Sequence, residues 1–278
     1  MPTLDKRSPI PLYYQLADWI REQIRTGALA TDSRLPSERE LSEQFGVSRM
    51  TVRQAAAYLV QEGWLTVRPG VGTFVAASKF TYDALHLLGF TAEMMQRGDQ
   101  VTSNVLEQAV VTPPPSVASE LQLTETEQTV KIMRVRQVAD EPLLLETIYL
   151  PATRCPGLER VDLAARSLYA VLEGQYGLQL HHARQTLEAS VANEYEIQLF
   201  QLQTPVGVLV LEGTTFDTNE RPVEYFKAVY RGDRFTFQLN SQHNGRPGRE
   251  NDGPAIRVVL SANESSARNT PDGGTLDV

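Results

Sequence analysis

Apolar residues recur every fourth position at Leu12, Leu16, Ile20 and Ile24, with Trp19 beside them. This spacing predicts an amphipathic helix from about Pro11 to Thr26, stopped by Gly27. Ser37 followed three residues later by Glu40 is a capping box, opening a short second helix that turns Leu41 and Phe45 inward and ends at Gly46. Ser48 caps a third helix with Val52, Ala55, Ala56, Leu59 and Val60 on its apolar side, and Gly63 ends it. The pattern then changes to strand. Trp64–Val67 and Thr73–Val75 flank the tip Arg68-Pro69-Gly70-Val71-Gly72, a β-hairpin. Three helices and a hairpin, with a tight turn at Gly46, predict a winged helix-turn-helix.

Strands dominate the chain beyond the hairpin. Residues 76–100 read as a bridge with one short helix starting near Phe90-Thr91 and carrying Glu93, Met94 and Met95. Strands are expected at Val101–Val111, Thr129–Val138 and Leu143–Leu150, with Ala139-Asp140-Glu141-Pro142 as a hairpin turn. Short helices are expected near Val117–Leu121, at Ser167–Tyr176 before Gly177, and at Asn193–Leu202. His182–Ala192 reads as a strand, and Val208–Asp217, Pro222–Arg231 and Arg234–Leu239 as a β-meander turning first at Thr218–Arg221. The expected architecture is α+β: a winged helix over 1–77, then a domain with a largely antiparallel sheet over 78–240. Residues 241–278 are rich in Asn, Gly, Ser and Pro and read as a mostly disordered tail, with Ala255–Leu260 as a stray apolar run.

Composition adds constraints. With 41% hydrophobic and 22% charged residues and no long apolar run, the chain reads as a soluble protein without a membrane span. The N-terminus lacks the apolar stretch of a signal peptide, and the single cysteine, Cys155, excludes an intramolecular disulfide and a Cys-based zinc site. Cytosol is the expected compartment. The net charge of −8 is unevenly spread, since residues 1–77 carry nine Lys/Arg against eight Asp/Glu and the remainder holds −9. Local phosphate binding by the first part is therefore compatible with an acidic chain.

Arg49 and Arg53, four apart, share one face of the third helix, with Gln54 flanking it and Thr51 near it. Arginine reads guanine through a bidentate contact and glutamine can read adenine. The hydroxyls of Ser37, Ser48 and Thr51 and the first amides of their helices suit phosphates, and Arg39 offers another cation. Gly70 and Gly72 keep the hairpin tip bare enough to approach a duplex, and Arg68 supplies its charge. Arginines so spaced are ordinarily a solvated helix face; their place in a helix-turn-helix before a glycine-tipped hairpin favours double-stranded DNA as partner.

The stretches Pro11-Leu12-Tyr13, Leu35–Leu41, Phe45–Arg49, Thr51-Val52-Arg53, Glu62–Leu65 and Gly70–Val75 resemble the GntR family of bacterial regulators across residues 9–77. The remainder resembles the UTRA effector domain of the family's HutC-type branch, a fold similar to chorismate lyase. Its matching stretches are Gly89–Met94, Arg134-Val135-Arg136, Glu141-Pro142 with Glu146 and Tyr149–Pro151, Ser167-Leu168-Tyr169, and Tyr230–Phe235.

The resemblance implies a pocket for a small anion such as a sugar phosphate or a carboxylate, lined by Phe90, Thr91, Arg134, Arg136, Glu146, Ser167, Tyr169 and Tyr230. The residues agree: Arg134 and Arg136 share a strand face, and Glu146 sits on a face with Leu144 and Ile148, where a carboxylate needs a partner. Thr91 and Ser167 stand at helix starts, which favour anions. A salt-bridge cluster of Arg134, Arg136 and Glu146 without ligand is the competing reading. Gly89 departs from sugar-phosphate-binding relatives, which often place Ser there. No cofactor is implied. No metal is expected at His181-His182, because neighbouring strand residues face opposite sides. The resemblance further implies a homodimer on a pseudo-palindromic operator, with repression relieved by the effector. A lyase-like enzyme and a second domain that only dimerises are the alternatives.

Overall fold

The computed structural model describes residues 4–77, 79–83 and 89–238. The predicted tail and its apolar run at 255–260 lie outside the described residues.

The first three helices are α1 (Leu12–Arg25), α2 (Glu38–Phe45) and α3 (Arg49–Gln61). Pro11 precedes α1 with extended backbone, and Gly27 leaves it at φ +78°, a conformation glycine adopts without strain. The capping box of α2 forms as predicted: Ser37 Oγ accepts from the Glu40 amide, and Glu40 Oε2 accepts from the Ser37 amide at 2.7 Å. Gly46 closes α2 in the left-handed region, and Ser48 Oγ caps α3 by accepting from the Thr51 amide at 3.1 Å. Leu16, Ile20, Leu41, Phe45, Val52, Ala55 and Leu59 meet in one core, closed below by Leu65 and Val75. Those two belong to an antiparallel hairpin of β1 (Leu65–Arg68) and β2 (Gly72–Val75). Arg34 bridges to Phe74 and adds a third edge to it.

The chain then supplies β3 (Phe80–Asp83), α4 (Phe90–Gln96), β4 (Val101–Val111), α5 (Pro115–Glu120), β5 (Thr129–Val138) and β6 (Glu141–Pro151). A 3₁₀ turn at Leu158–Arg160 precedes α6 (Leu168–Tyr176), β7 (Leu180–Val191), α7 (Glu194–Leu199), β8 (Gly207–Asp217), β9 (Pro222–Arg231) and β10 (Phe235–Gln238). Six strands form one antiparallel sheet in the order β4-β5-β6-β9-β8-β7. One face, with Val130, Ile132, Leu144, Ile148, Leu150, Phe226 and Tyr230, packs on Phe90 and Met94 of α4 and on Leu168, Val171 and Leu172 of α6. The other face carries a smaller cluster, Val135, Leu145, Val208 and Val229 with Phe200. Among the described residues, no helix is long and apolar enough to cross a membrane.

Three sequence expectations change. The hairpin turn is two residues, Ala139 (φ +48°) and Asp140 (φ +63°), and the strand resumes at Glu141. Pro142, paired with Gln137, stands beside a register shift between Arg136 and Gln137, an irregularity of the kind at which strands accept proline. β10 leaves the meander and pairs in parallel with β3, a strand inside the segment read as a bridge. Such a pair joins distant chain segments, so no local turn announces it. Phe80 and Phe235 hold it together with ring centroids 5.4 Å apart. Finally, β7 starts at Leu180, and the helix after it ends at Leu199 behind an Asn193–Glu196 capping box.

Candidate functional site

The surface of the first three helices gathers the residues predicted to meet a duplex. Ser48, Arg49, Arg53 and Gln54 are exposed on α3 and Thr51 is half-buried, while Val52, Ala55 and Leu59 point into the core. Ser37 and Arg39 are exposed at the start of α2, with Arg39 only loosely tied to Glu43 at 3.9 Å. Arg53 is engaged: its Nε and Nη2 donate to the two Glu38 oxygens at 2.9 and 2.8 Å. These bonds, with Arg49 nearby, hold the Glu38 carboxyl below its ordinary pKa. Arg68 pairs with Asp32 and stacks over the Phe74 ring at 4.2 Å, so its charge rests on the body of the hairpin. Gly70, at φ +74°, faces open space at the tip. Gly72, at φ +148°, holds backbone that side chains rarely adopt, and a Cβ there would push aside the exposed Arg34 guanidinium, whose Nε would lie at 2.8 Å. Arg34 and Glu38 escaped the sequence reading, since their roles arise from packing between elements.

The second group is buried. On adjacent positions of β5 and β6, Arg134 Nε donates to Glu146 Oε2 at 2.7 Å, and Arg136 Nη1 reaches the same oxygen at 3.3 Å. Arg136 Nη2 donates to Thr91 Oγ1 on α4, and its guanidinium lies over Phe90 at 5.3 Å. Both arginines are 2% exposed, while the Glu146 side chain keeps 15%. Burial works to raise the Glu146 pKa, but the two guanidinium groups outweigh it and the carboxyl lies below its ordinary value. Burial, seconded by Arg134, pulls Arg136 down to about 10, which leaves it charged at neutral pH.

Glu224 completes the cluster. It lies 1% exposed on β9, and its Oε1 accepts from Tyr169 Oη at 2.6 Å and Thr215 Oγ1 at 3.0 Å. Burial, with Glu146 adding repulsion, pushes its pKa up to about 7. A signal was available, because the carboxylate stands beside Val223 and one turn of the pleat from Phe226 on an apolar strand. Among the described residues, Arg134 Nη1, Arg136 Nε and Glu224 Oε2 are buried without a hydrogen-bond partner. Ser167 caps α6 by accepting from the Ala170 amide at 3.4 Å, and the Tyr230 ring meets Phe235 and Phe237 edge-on, each at 5.1 Å. Gly89 precedes α4 at φ +72°, ψ 151°, backbone that glycine alone adopts readily, and a Cβ there would stand 3.0 Å from the Tyr169 ring. The departure at position 89 therefore matches its backbone.

His181 and His182 correct an expectation. The register of β7 shifts between Leu180 and His182, and the two imidazoles converge, with Nδ1 atoms 3.4 Å apart. An open cleft elsewhere is lined by Arg21, Arg25, Trp64, Lys79 and Gly207. Its cations are already engaged: Arg21 with Asp18 and Glu62, Arg25 over Trp64, and Lys79 with the Gly232 carbonyl at 2.8 Å. The buried cluster is the better ligand candidate.

Comparison with known proteins agrees with this layout. Residues 12–75 match the bacterial regulatory proteins of the gntR family, and residues 96–236 match the UTRA domain. The chain belongs to the GntR family. It is similar to the HTH-type transcriptional repressor NagR of Bacillus subtilis, 37% identical over 84% of this chain and 96% of the relative. The mannosyl-D-glycerate transport/metabolism system repressor MngR of Escherichia coli is 30% identical, with 84% of this chain and 96% of that one covered. The crystal structure of PhnF from Mycobacterium smegmatis aligns with TM-score 0.56 and 26% identity, covering 83% of this chain and all of that one. This GntR regulator is thus a DNA-binding transcription factor whose UTRA domain takes a small-molecule effector. The relatives are named regulators, which disfavours the enzyme alternative.

Proposed function

We propose that this protein is a dimeric, cytoplasmic repressor of the HutC-type branch that leaves its operator when a small hydroxylated anion fills the Arg134–Glu146–Glu224 cluster. Residues 1–77 act as the DNA reader and residues 78–240 as the effector and pairing domain. Two copies of α3 enter successive major grooves of a pseudo-palindrome whose half-sites lie about one turn, ~10 bp, apart. Arg49 and Gln54 read bases, Arg53 joins them on release from Glu38, and Ser37, Arg39, Ser48, Thr51 and the Arg68–Gly72 tip hold the backbone.

The unpartnered buried atoms carry the effector reading. A closed salt-bridge cluster satisfies its polar groups, because an orphaned one costs about 1–3 kcal/mol. Here Arg134 Nη1, Arg136 Nε and Glu224 Oε2 lack partners beside the partly exposed Glu146. Two cations face one lowered carboxyl and one raised to about 7, a balance that favours an anion, with Glu146 and Glu224 left to accept from ligand hydroxyls. The MngR relative is named for mannosyl-D-glycerate, a glycosylated carboxylate, which is chemistry of this class.

The test is thermal unfolding of the full chain against sugar phosphates, sugar acids, urocanate and other small carboxylates. A ligand that binds the native state raises the melting temperature with dose. A rise with one anion, accompanied by release of operator DNA in an anisotropy titration, supports the reading. No rise with any member of the panel favours a second domain that only dimerises.

A further inference from the structure

Among the described residues, His181, His182 and Glu220 form the one group of three metal-competent side chains whose ligand atoms lie within 4.8 Å of one another. We propose that they are a surface site for a divalent transition ion of the zinc, nickel and copper class, separate from the effector cluster and independent of its reading.

The spacing supports an ion over direct bonding. Zinc held tetrahedrally at about 2.0–2.1 Å sets its ligand atoms roughly 3.3 Å apart. The two Nδ1 atoms are 3.4 Å apart, and one ligand atom from each of the three residues lies within 4.8 Å of the other two. The Nδ1 separation is long for a hydrogen bond, which centres near 2.9–3.0 Å. Closing the triangle falls to Glu220, whose side chain is 72% exposed.

The frame around the three residues is fixed. The register shift at the start of β7 turns both imidazoles to one side. His182 stacks on Phe216, with centroids 5.0 Å apart and planes 12° from parallel, and Arg184 covers the same ring at 5.2 Å. Glu220 sits in the β8–β9 turn at φ +60°, donating to the Asp217 carbonyl at 3.1 Å. Asp217 Oδ1 in turn accepts the Asn219 and Arg221 amides at 2.9 and 3.0 Å. Two imidazoles and one carboxylate select borderline metals over magnesium or calcium, and leave a fourth position for water or another donor.

Zinc titration of the untagged full-length chain, in competition with a chromophoric chelator, tests the site. Cobalt substitution adds an absorption band that reports tetrahedral nitrogen ligation. One ion per chain is expected, with His181→Gln and His182→Gln each weakening binding more than about tenfold, the least that loss of a supporting partner commonly does. Glu220→Gln should weaken it too, while metal-free melting curves match the parent in all three. A parent that fails to compete overturns the proposal. So do variants that bind like the parent, or a loss confined to one of the two histidines.

Discussion

Arg53 on α3 grips Glu38 at the start of α2 through two parallel hydrogen bonds, at 2.9 and 2.8 Å. The pair ties α3 to the helix before it and occupies the guanidinium edge that the proposed function turns toward guanine. Its side chains are 62% and 41% exposed, so solvent screening leaves it little net contribution to stability. Its effect belongs to binding.

Glu38→Gln should therefore leave the melting temperature nearly unchanged and tighten DNA binding, because it removes a carboxylate that competes with phosphate and base for Arg53. Anisotropy titrations at two salt concentrations check this. Weaker binding by the variant means that the pair orients Arg53 for the duplex.

Arg49 is exposed, and no ion pair of its own holds it among the described residues. Arg49→Ala should cost about 1–3 kcal/mol of operator affinity and relax base preference at one position of each half-site. Competition between operator and scrambled duplex gives the measure. Equal loss on both makes Arg49 a phosphate contact.

Arg134→Ala should abolish the effector response while DNA binding without effector persists. It removes the 2.7 Å bond to Glu146 but leaves Arg136 in place, so the stability loss should fall below the ~3–5 kcal/mol of a broken buried pair. Melting with and without the effector anion separates the two effects. A preserved rise with ligand takes Arg134 out of the pocket.

Glu224 links stability to pH. Its pKa is raised from 4.5 to about 7 in the folded protein, so between these values the native state holds a proton that the unfolded chain has lost. Stability from this group is fully present below about 4.5 and falls as pH rises to about 7. Glu224→Gln should flatten the melting temperature across that window and raise it above the window. Identical profiles for parent and variant would place the carboxyl in water.

Gly63 leaves α3 at φ +77°, and a Cβ there would collide with the Asp233 carbonyl, whose carbon would lie at 2.8 Å. Gly63→Ala should cost roughly 1–3 kcal/mol, strain and steric overlap together. Urea unfolding gives the value. A loss within a few tenths of a kcal/mol would show that the chain at Asp233 yields easily.

The sequence by itself determined the local structure. Four-residue apolar spacing, Ser37 and Ser48 caps and glycine stops placed α1 to α3 to within a residue or two, because caps and periodicity act over single turns of helix. Runs of strand-forming residues did the same for β4, β5 and β8, and Arg134, Arg136 and Glu146 were legible as charges on apolar strand faces. Tertiary structure decided what depends on distant segments meeting. It paired β10 with β3 across 155 positions, brought Glu224 under Tyr169, turned Arg53 to Glu38, and swung His181 beside His182 through a register shift. The period of a strand fixes which residues share a face, but a register shift resets that phase, and partner choice is set by the total burial of the fold. Neither quantity is written in any short window of residues.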